Sequence, residues 1–220
     1  MGIAIDGNFP TRAGNGFEVI KTNEADPERL ANIMKALASD RGVLEAGRFG
    51  REIEPLMPVS HEMAFARSPS ATAGTGAIQF HQDGAHKPKL PRWLLIGALD
   101  STAKSPTRLK PIPISDFTEA EIDLLISAPI FVRNGRKSFY SSLFNRTSSQ
   151  IRFDPYCMEP INERGKRAFQ IFFERLDKVK EVEVPLNGGD IVIIDNLNTL
   201  HGRPDCTDAM SRRLLRGCVK

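Results

Sequence analysis

The sequence predicts a mainly β fold, a sandwich or barrel with helices packed on its outside. Many short apolar stretches are separated by turn residues, which is typical of strands in an all-β core. Only a few stretches have helical periodicity. The regular alternation of strands and helices found in a doubly wound sheet is absent. No GxGxxG follows a predicted strand and no GxxxxGK[ST] occurs, so nucleotide-binding folds are disfavoured.

A strand and a helix are the first predicted elements. Residues 17–20 are β-prone and predict a short edge strand. Asp26 followed by Pro27 is typical of a helix start, because Asp caps the free amides and Pro fits the first turn. Gly42 is expected to end this helix. Its apolar residues recur at helical spacing, which predicts one buried face: Leu30, Ile33, Met34 and Leu37.

The middle and the C-terminal half predict strands with two further helices. Residues 54–76 are rich in Pro, Ser, Ala and Gly and predict a long loop with one short strand over 62–67. Thr118 and Glu121 form a capping box for a helix through Ile126. Further strands are predicted over 77–82, 92–99, 107–112, 130–133, 137–141, 150–154, 182–185 and 191–195, and a long amphipathic helix over 160–179.

Length and composition set limits on the class of protein. The chain has 220 residues, 40% of them apolar, which suits one domain over residues 1–220. A formal net charge of +3 with interspersed signs disfavours a nucleic-acid or membrane partner. Three cysteines without a CxxC pair, and a start without a signal-peptide pattern, predict a reduced, cytoplasmic setting.

Two histidines and one carboxylate form the candidate site. His81 and Asp83 are two residues apart, and they share a face with Gln79 if the strand continues through them. His201 follows the apolar strand 191–195. Two imidazoles and a carboxylate on one face of an ion leave positions open, as in the facial triad of non-haem Fe(II) oxygenases, whereas a structural zinc site closes them.

Arginines near the C-terminus fit the same chemistry. An oxoacid that chelates iron through its carboxylate and keto group leaves a distal carboxylate, and a guanidinium fork binds such a group well. Arg212 follows His201 by eleven residues. Arg216 lies four residues further on and shares its face on a regular strand, where it can hold an anionic group of a substrate.

The sequence resembles the taurine dioxygenase and clavaminate synthase-like group of Fe(II)- and 2-oxoglutarate-dependent oxygenases. The matching stretches are "HQD" at 81–83, "GGDIVIIDNLNTLHGR" at 188–203 and "RRLLR" at 212–216. The resemblance runs from about residue 77 onward and implies a double-stranded β-helix, the jelly roll shared with cupins. The ligands that it implies for iron are His81, Asp83 and His201.

The resemblance also implies roles around the metal. It places 2-oxoglutarate on Arg212, or on Arg213 if the strand phase differs by one, together with Thr107 or its rival Thr102. It places the acid group of the substrate on Arg216. Gln79 is a further candidate for substrate contact, although a buried glutamine satisfied by backbone is an equal reading.

The predicted function is therefore that of an Fe(II)- and 2-oxoglutarate-dependent dioxygenase. It would oxidise an unactivated C–H bond of a small anionic substrate, such as an amino acid or natural-product intermediate, with hydroxylation the favoured outcome. Its other partners would be O2 as reactant and succinate and CO2 as products. Two alternatives stay open at this point: a cupin-like metal-dependent dioxygenase or isomerase without 2-oxoglutarate, and a non-catalytic ligand-binding jelly roll.

Overall fold

The structure is a computed structural model that describes residues 16–47, 49–66, 68–206 and 212–220. Within those residues there are four α-helices: α1 (Pro27–Ser39), α2 (Pro69–Ala73), α3 (Glu119–Ser127) and α4 (Glu163–Lys178). The strands are β1 (Phe17–Lys21), β2 (Ile53–Leu56), β3 (Ile78–His81), β4 (Trp93–Ala98), β5 (Thr107–Pro111), β6 (Ile130–Val132), β7 (Phe139–Ser141), β8 (Phe144–Asn145), β9 (Gln150–Ile151), β10 (Met158–Pro160), β11 (Val182–Val184), β12 (Asp190–Asp195), β13 (Thr199–Arg203) and β14 (Leu214–Val219).

Two antiparallel sheets form the body of the fold. The larger has the strand order β1-β12-β4-β14-β2, and the smaller has the order β11-β5-β13-β3. Their inner faces pack together through alternate residues of strands in both sheets, as in a jelly roll. This inner core contains Leu94, Ile96, Leu109, Val184, Val192, Ile194 and Leu214. The mainly β prediction, with helices outside, is confirmed.

Helix α1 covers the outer face of the larger sheet. Leu30, Met34 and Leu37 are buried in the same apolar cluster as Ile191 and Ile193 of β12. Strand β12 is therefore apolar on both faces, because one face meets α1 and the other meets the smaller sheet. Asp26 caps the helix as predicted, since its side chain accepts a 2.9 Å hydrogen bond from the amide of Arg29.

A second layer surrounds α3 and α4. The sheet β10-β6-β7 and the hairpin β8-β9 pack with these helices around a large cluster that includes Leu125, Phe153 and Phe172. The capping box of α3 is formed as predicted by Thr118 and Glu121. The predicted face of α4 is buried at Ala168, Ile171, Phe172 and Leu176.

The structure corrects one local prediction and adds a strand that was not predicted. Residues 62–66 are not a strand, because the amides of Met63 and Ala64 bond to carbonyls three residues earlier and form turns. Strand β13 was not predicted, since its sequence TLHGR lacks the β-branched run of a typical strand. None of the helices among the described residues combines the length and apolar character that a bilayer crossing requires. That residues 1–220 form one domain stays a prediction.

Candidate metal centre

The two histidines come from neighbouring strands of the smaller sheet. His81 is the last residue of β3, and His201 lies directly opposite it in the middle of β13. Their ring centroids are 4.4 Å apart. Asp83 follows β3, and its Oδ1 lies 3.8 Å from Nε2 of His81 and 3.7 Å from Nε2 of His201. The structure thus brings the three predicted metal ligands together.

The chemistry of this donor set fits a divalent metal ion. Ligand atoms of the three residues all lie within 4.8 Å of one another, so one ion at bond lengths of about 2 Å can reach each of them. Burial, followed by the neighbouring His201, lowers the pKa of His81 and keeps its ring neutral. Its Nδ1 donates to the carbonyl of Gln79 at 2.9 Å, which leaves Nε2 as the lone-pair donor.

The backbone of Asp83 forms two hydrogen bonds with Asn196, a residue far away in the sequence. Asn196 is fully buried; its Oδ1 accepts from the amide of Asp83 at 3.0 Å and its Nδ2 donates to the carbonyl of Asp83 at 3.0 Å. Gln82, also fully buried, donates to the carbonyl of Asn196 and accepts from the amide of Phe153 at 2.8 Å. Sequence reasoning missed Gln82, because its role depends on contacts far along the chain.

Arg216 lies on the far side of Asp83. Its Nη1 is 3.3 Å from Oδ2 of Asp83, and its Nη2 is 3.1 Å from Oε2 of Glu54. Burial alone would raise the pKa of Asp83. The charge of Arg216, together with the neighbouring His201 and His81, outweighs burial, so the pKa falls below its ordinary value. Sequence reasoning missed Glu54, since no local motif marks it.

A second charged pocket surrounds Arg212. This side chain is buried; Nη1 donates to the carbonyl of Ser105 and Nη2 lies 3.2 Å from Oγ1 of Thr107. Burial, followed by the nearby charge of Arg203, lowers the pKa of Arg212 to about 10, so it remains protonated at neutral pH. Buried Arg203 donates only to backbone carbonyls of the described residues, at Gly74, Thr75 and Pro204.

This pocket has the features of an anion site. Among the described residues, neither Arg212 nor Arg203 forms an ion pair with a carboxylate. Within the same part of the chain, the buried hydroxyl of Ser105 also lacks a hydrogen-bond partner. Buried charges are ordinarily paired, so two such guanidiniums indicate a site for an anionic ligand.

The alternatives left open by the sequence lie elsewhere. Arg213 is on the surface, where it forms an ion pair with Asp100. Thr102 accepts from the amide of Leu186 at 2.8 Å, a contact that fixes a loop. Gln79 is exposed, and its backbone amide donates to the hydroxyl of Tyr156 at 2.9 Å. The geometry therefore favours Arg212 with Thr107 over Arg213 or Thr102.

Residues 154–157 form a wall beside His81 that sequence reasoning did not find. The ring of Tyr156 meets the ring of His81 edge-on, with centroids 6.1 Å apart. The carboxylate of Asp154 accepts from the amide of Tyr156 at 2.8 Å and from the thiol of Cys157 at 3.3 Å. The Asp-Pro pair in "FDPYC" marks a turn, but nothing in the local sequence shows that the turn reaches the metal ligands.

Comparison with protein families gives one match, to the family described as taurine catabolism dioxygenase TauD, TfdA family, over residues 103–219. The match covers more than half of the chain and includes Thr107, His201, Arg212 and Arg216. The chain belongs to this family. His81 and Asp83 lie before the matched range, and the structure supplies their place beside His201. Membership assigns the chain to the non-haem iron oxygenases that use 2-oxoglutarate, which confirms the resemblance seen in the sequence.

Solved structures confirm the fold. The non-haem iron oxygenase OrfP, in complex with Fe and alpha-ketoglutaric acid, matches with a TM-score of 0.77 and 19% identity, covering 94% of this chain and 76% of that one. Asparagine oxygenase (AsnO) matches with a TM-score of 0.76 and 20% identity, covering 93% and 73%. A search of curated proteins found no significant match in sequence.

Proposed function

We propose that the protein hydroxylates a C–H bond of a small amino acid or a related amino-acid-like substrate. The observation that carries the proposal is the position of two His and one Asp beside a buried arginine pocket that lacks a carboxylate partner among the described residues. The first group suits iron(II), and the second suits the distal carboxylate of 2-oxoglutarate. When bound, iron(II) and 2-oxoglutarate supply the O2-dependent oxidation of a C–H bond, with release of succinate and CO2.

The side chains of this protein would bind and orient the reactants. Arg212 and Thr107 would hold the distal carboxylate of 2-oxoglutarate, and the hydroxyl of Ser105 lies in the same pocket. His81, Asp83 and His201 would hold the metal from one side only. Both histidines are buried and the side chain of Asp83 is only 14% exposed, which limits the access of water and strengthens the charge interactions in the site.

The substrate class is inferred from the open side of the site and from relatives. The side chain of Arg216 is 34% exposed, so its unused N–H groups can meet the acid group of an amino acid. Exposed Gln79 is proposed as a second contact. One OrfP structure contains (3S)-hydroxy-L-Arg, and one asparagine oxygenase structure contains 2S,3S-3-hydroxyasparagine. Both names describe hydroxylated amino acids, which supports an amino-acid substrate here.

The binding half of the proposal can be tested without substrate. Fe(II) and 2-oxoglutarate are added to the metal-free protein under anaerobic conditions, and the visible charge-transfer band is recorded. The native protein and the surface variant Arg213→Ala should both give the band. His81→Ala should lose it, and Arg212→Ala should require far more 2-oxoglutarate. A native protein that binds iron without forming the band would favour the cupin-like alternative.

The catalytic half requires a panel of free L-amino acids, including arginine and asparagine. The expected result is succinate release coupled to O2 uptake, and a product heavier by one oxygen atom in mass spectrometry. Without a substrate, the enzyme would release succinate at a slow background rate. If no amino acid of the panel raises succinate release above that rate, the amino-acid assignment is contradicted. A band in the binding experiment would still support the iron and 2-oxoglutarate site.

A further inference from the structure

The two oxygens of the Asp83 carboxylate have different surroundings. Oδ1 faces the Nε2 atoms of both histidines, at 3.8 and 3.7 Å. Oδ2 points away from them, toward Nη1 of Arg216 at 3.3 Å and the thiol of Cys218 at 4.0 Å. Only one oxygen therefore faces the space that the metal would fill, while the other already has a charged partner.

Arg216 is itself held in place by the larger sheet. It lies in β14, between β4 and β2, and its Cα partner across the β2 side is Glu54. The Glu54 carboxylate accepts from Nη2 at 3.1 Å, and its side chain is only 13% exposed. Gly47 closes over this carboxylate, since a Cβ at that position would lie 2.1 Å from Cδ of Glu54. Glu54 and Gly47 thus hold the side chain of Arg216 in place, and Arg216 in turn contacts Oδ2 of Asp83.

We propose that Arg216, supported by Glu54, is a positioning residue that makes Asp83 a one-oxygen ligand. An iron(II) ion held by one atom from each of three residues would keep positions open for a chelating co-substrate and for O2. A carboxylate that turned to bind through both oxygens would occupy one of those positions. The ion pair of Oδ2 with Arg216 prevents this turn. The proposal rests on the iron and 2-oxoglutarate site proposed above.

This role is separate from a contact of Arg216 with substrate. A residue that only binds substrate affects the Michaelis constant and leaves metal binding in the substrate-free protein unchanged. A positioning residue changes the metal site before any substrate is present. Removal of groups that orient metal ligands typically costs about tenfold to a hundredfold in metal affinity or activity.

The test is a substrate-free, anaerobic titration of the full chain with Fe(II), in two versions. One version measures affinity by competition with a chromophoric chelator, and the other follows the charge-transfer band at saturating 2-oxoglutarate. Arg216→Met removes the N–H donors of the guanidinium and keeps an aliphatic side chain of similar packing. Arg216→Lys keeps the positive charge but replaces the guanidinium with a single ammonium group. Arg213→Met is the matched control, because it removes an arginine that pairs with surface Asp100.

The expected result in Arg216→Met is Fe(II) affinity equal to or tighter than native, since the freed Oδ2 can also bind the ion, with loss of most of the band at a 2-oxoglutarate concentration that saturates the native protein. Arg216→Lys should show a smaller change, and Arg213→Met should match the native protein in both measurements. If Arg216→Met fails to fold because Glu54 and Asp83 are left unpaired, the same measurements are made on the double variant Arg216→Met/Glu54→Gln, in which the unpaired charge of Glu54 is removed as well. A folded variant without Arg216 that forms the native band at the native 2-oxoglutarate concentration would overturn the proposal, and so would one that binds Fe(II) much more weakly than the native protein. A native protein that binds Fe(II) but gives no band with 2-oxoglutarate would contradict the proposed function instead, and the chelator competition would still test Arg216.

Discussion

The site has two charged ends that differ in how their charges are compensated. At the metal end, Asp83 pairs with Arg216 and Arg216 pairs with Glu54, so the charges alternate in sign through the described side chains. At the co-substrate end, Arg212 and Arg203 lie close enough for each charge to disfavour the other, and neither pairs with a carboxylate of the described chain. Counted over the described residues, the charges of the metal end are paired without a co-substrate, while the co-substrate end has an excess of positive charge.

This difference indicates how the two ends are used. A metal site must present its ligands at fixed angles before the ion arrives, so its supporting contacts belong to the protein. A co-substrate that is consumed in every turnover must instead contribute part of the local charge balance itself. An arginine pocket that lacks a carboxylate partner among the described residues therefore favours binding of a dianion without first breaking an ion pair.

The largest effect is expected from loss of a metal ligand. His201→Ala removes one of three donors, so Fe(II) affinity should fall by at least about a hundredfold, with little change in the folded structure. Metal content after anaerobic loading, with circular dichroism as the check on folding, measures this. His61→Ala is the matched control, because His61 is exposed in a loop and its ring contacts the carbonyl of Ala71. Equal metal content in native and His201→Ala proteins would contradict the assigned triad.

Arg212→Ala should affect only the co-substrate end. Hydrogen bonds between charged groups contribute about 1.5–3 kcal/mol, which corresponds to about a tenfold to hundredfold higher concentration of 2-oxoglutarate for half-saturation. Fe(II) affinity without 2-oxoglutarate should stay native. Anaerobic titrations of each component separate the two quantities. If Arg212→Ala also lowered Fe(II) affinity, the metal end and the co-substrate end would not be independent, and the contrast drawn between them would be contradicted.

Asn196→Ala should weaken the metal end through the backbone. It removes the two hydrogen bonds to Asp83 and a third, from Nδ2 to the carbonyl of Pro91 at 2.9 Å. Buried polar groups left unpaired cost about 1–3 kcal/mol each, so the free energy of unfolding should fall by a few kcal/mol. Urea unfolding measures it. Asn198→Ala, which removes a contact with Asp195 on the same turn, should cost less.

Thr107→Val is expected to give the smallest effect. It keeps the shape of the side chain and removes the hydroxyl that lies 3.2 Å from Arg212. A single hydrogen bond to a charged group contributes about 1.5 kcal/mol at the low end of its range, so half-saturation by 2-oxoglutarate should rise by about tenfold. Thr102→Val serves as the comparison, because that hydroxyl bonds to the backbone of Leu186 and should change stability instead. If Thr102→Val instead raised the 2-oxoglutarate requirement and Thr107→Val changed only stability, Thr102 would be the 2-oxoglutarate contact.

The sequence predicts those parts of the site that depend on short spacing. His81 and Asp83 are two residues apart, and Arg212 and Arg216 are four apart, so each pair can be read within one stretch. Glu54 could not be predicted, because it meets Arg216 only through strand pairing across 162 residues. The same holds for Asn196, whose partner Asp83 is 113 residues away. Strand β13 was missed since a strand that carries a ligand, a glycine and an arginine has little of the usual β composition.

Strand β14 has a consequence for biosynthesis. It lies between β4 and β2 in the larger sheet, although its residues are the last of the described chain to be made. A nascent chain that has not yet supplied residues 214–219 leaves a gap between those strands and lacks Arg216. Pairings over such long separations form slowly and late. A chain terminated before residue 214 would therefore leave Asp83 without its arginine partner.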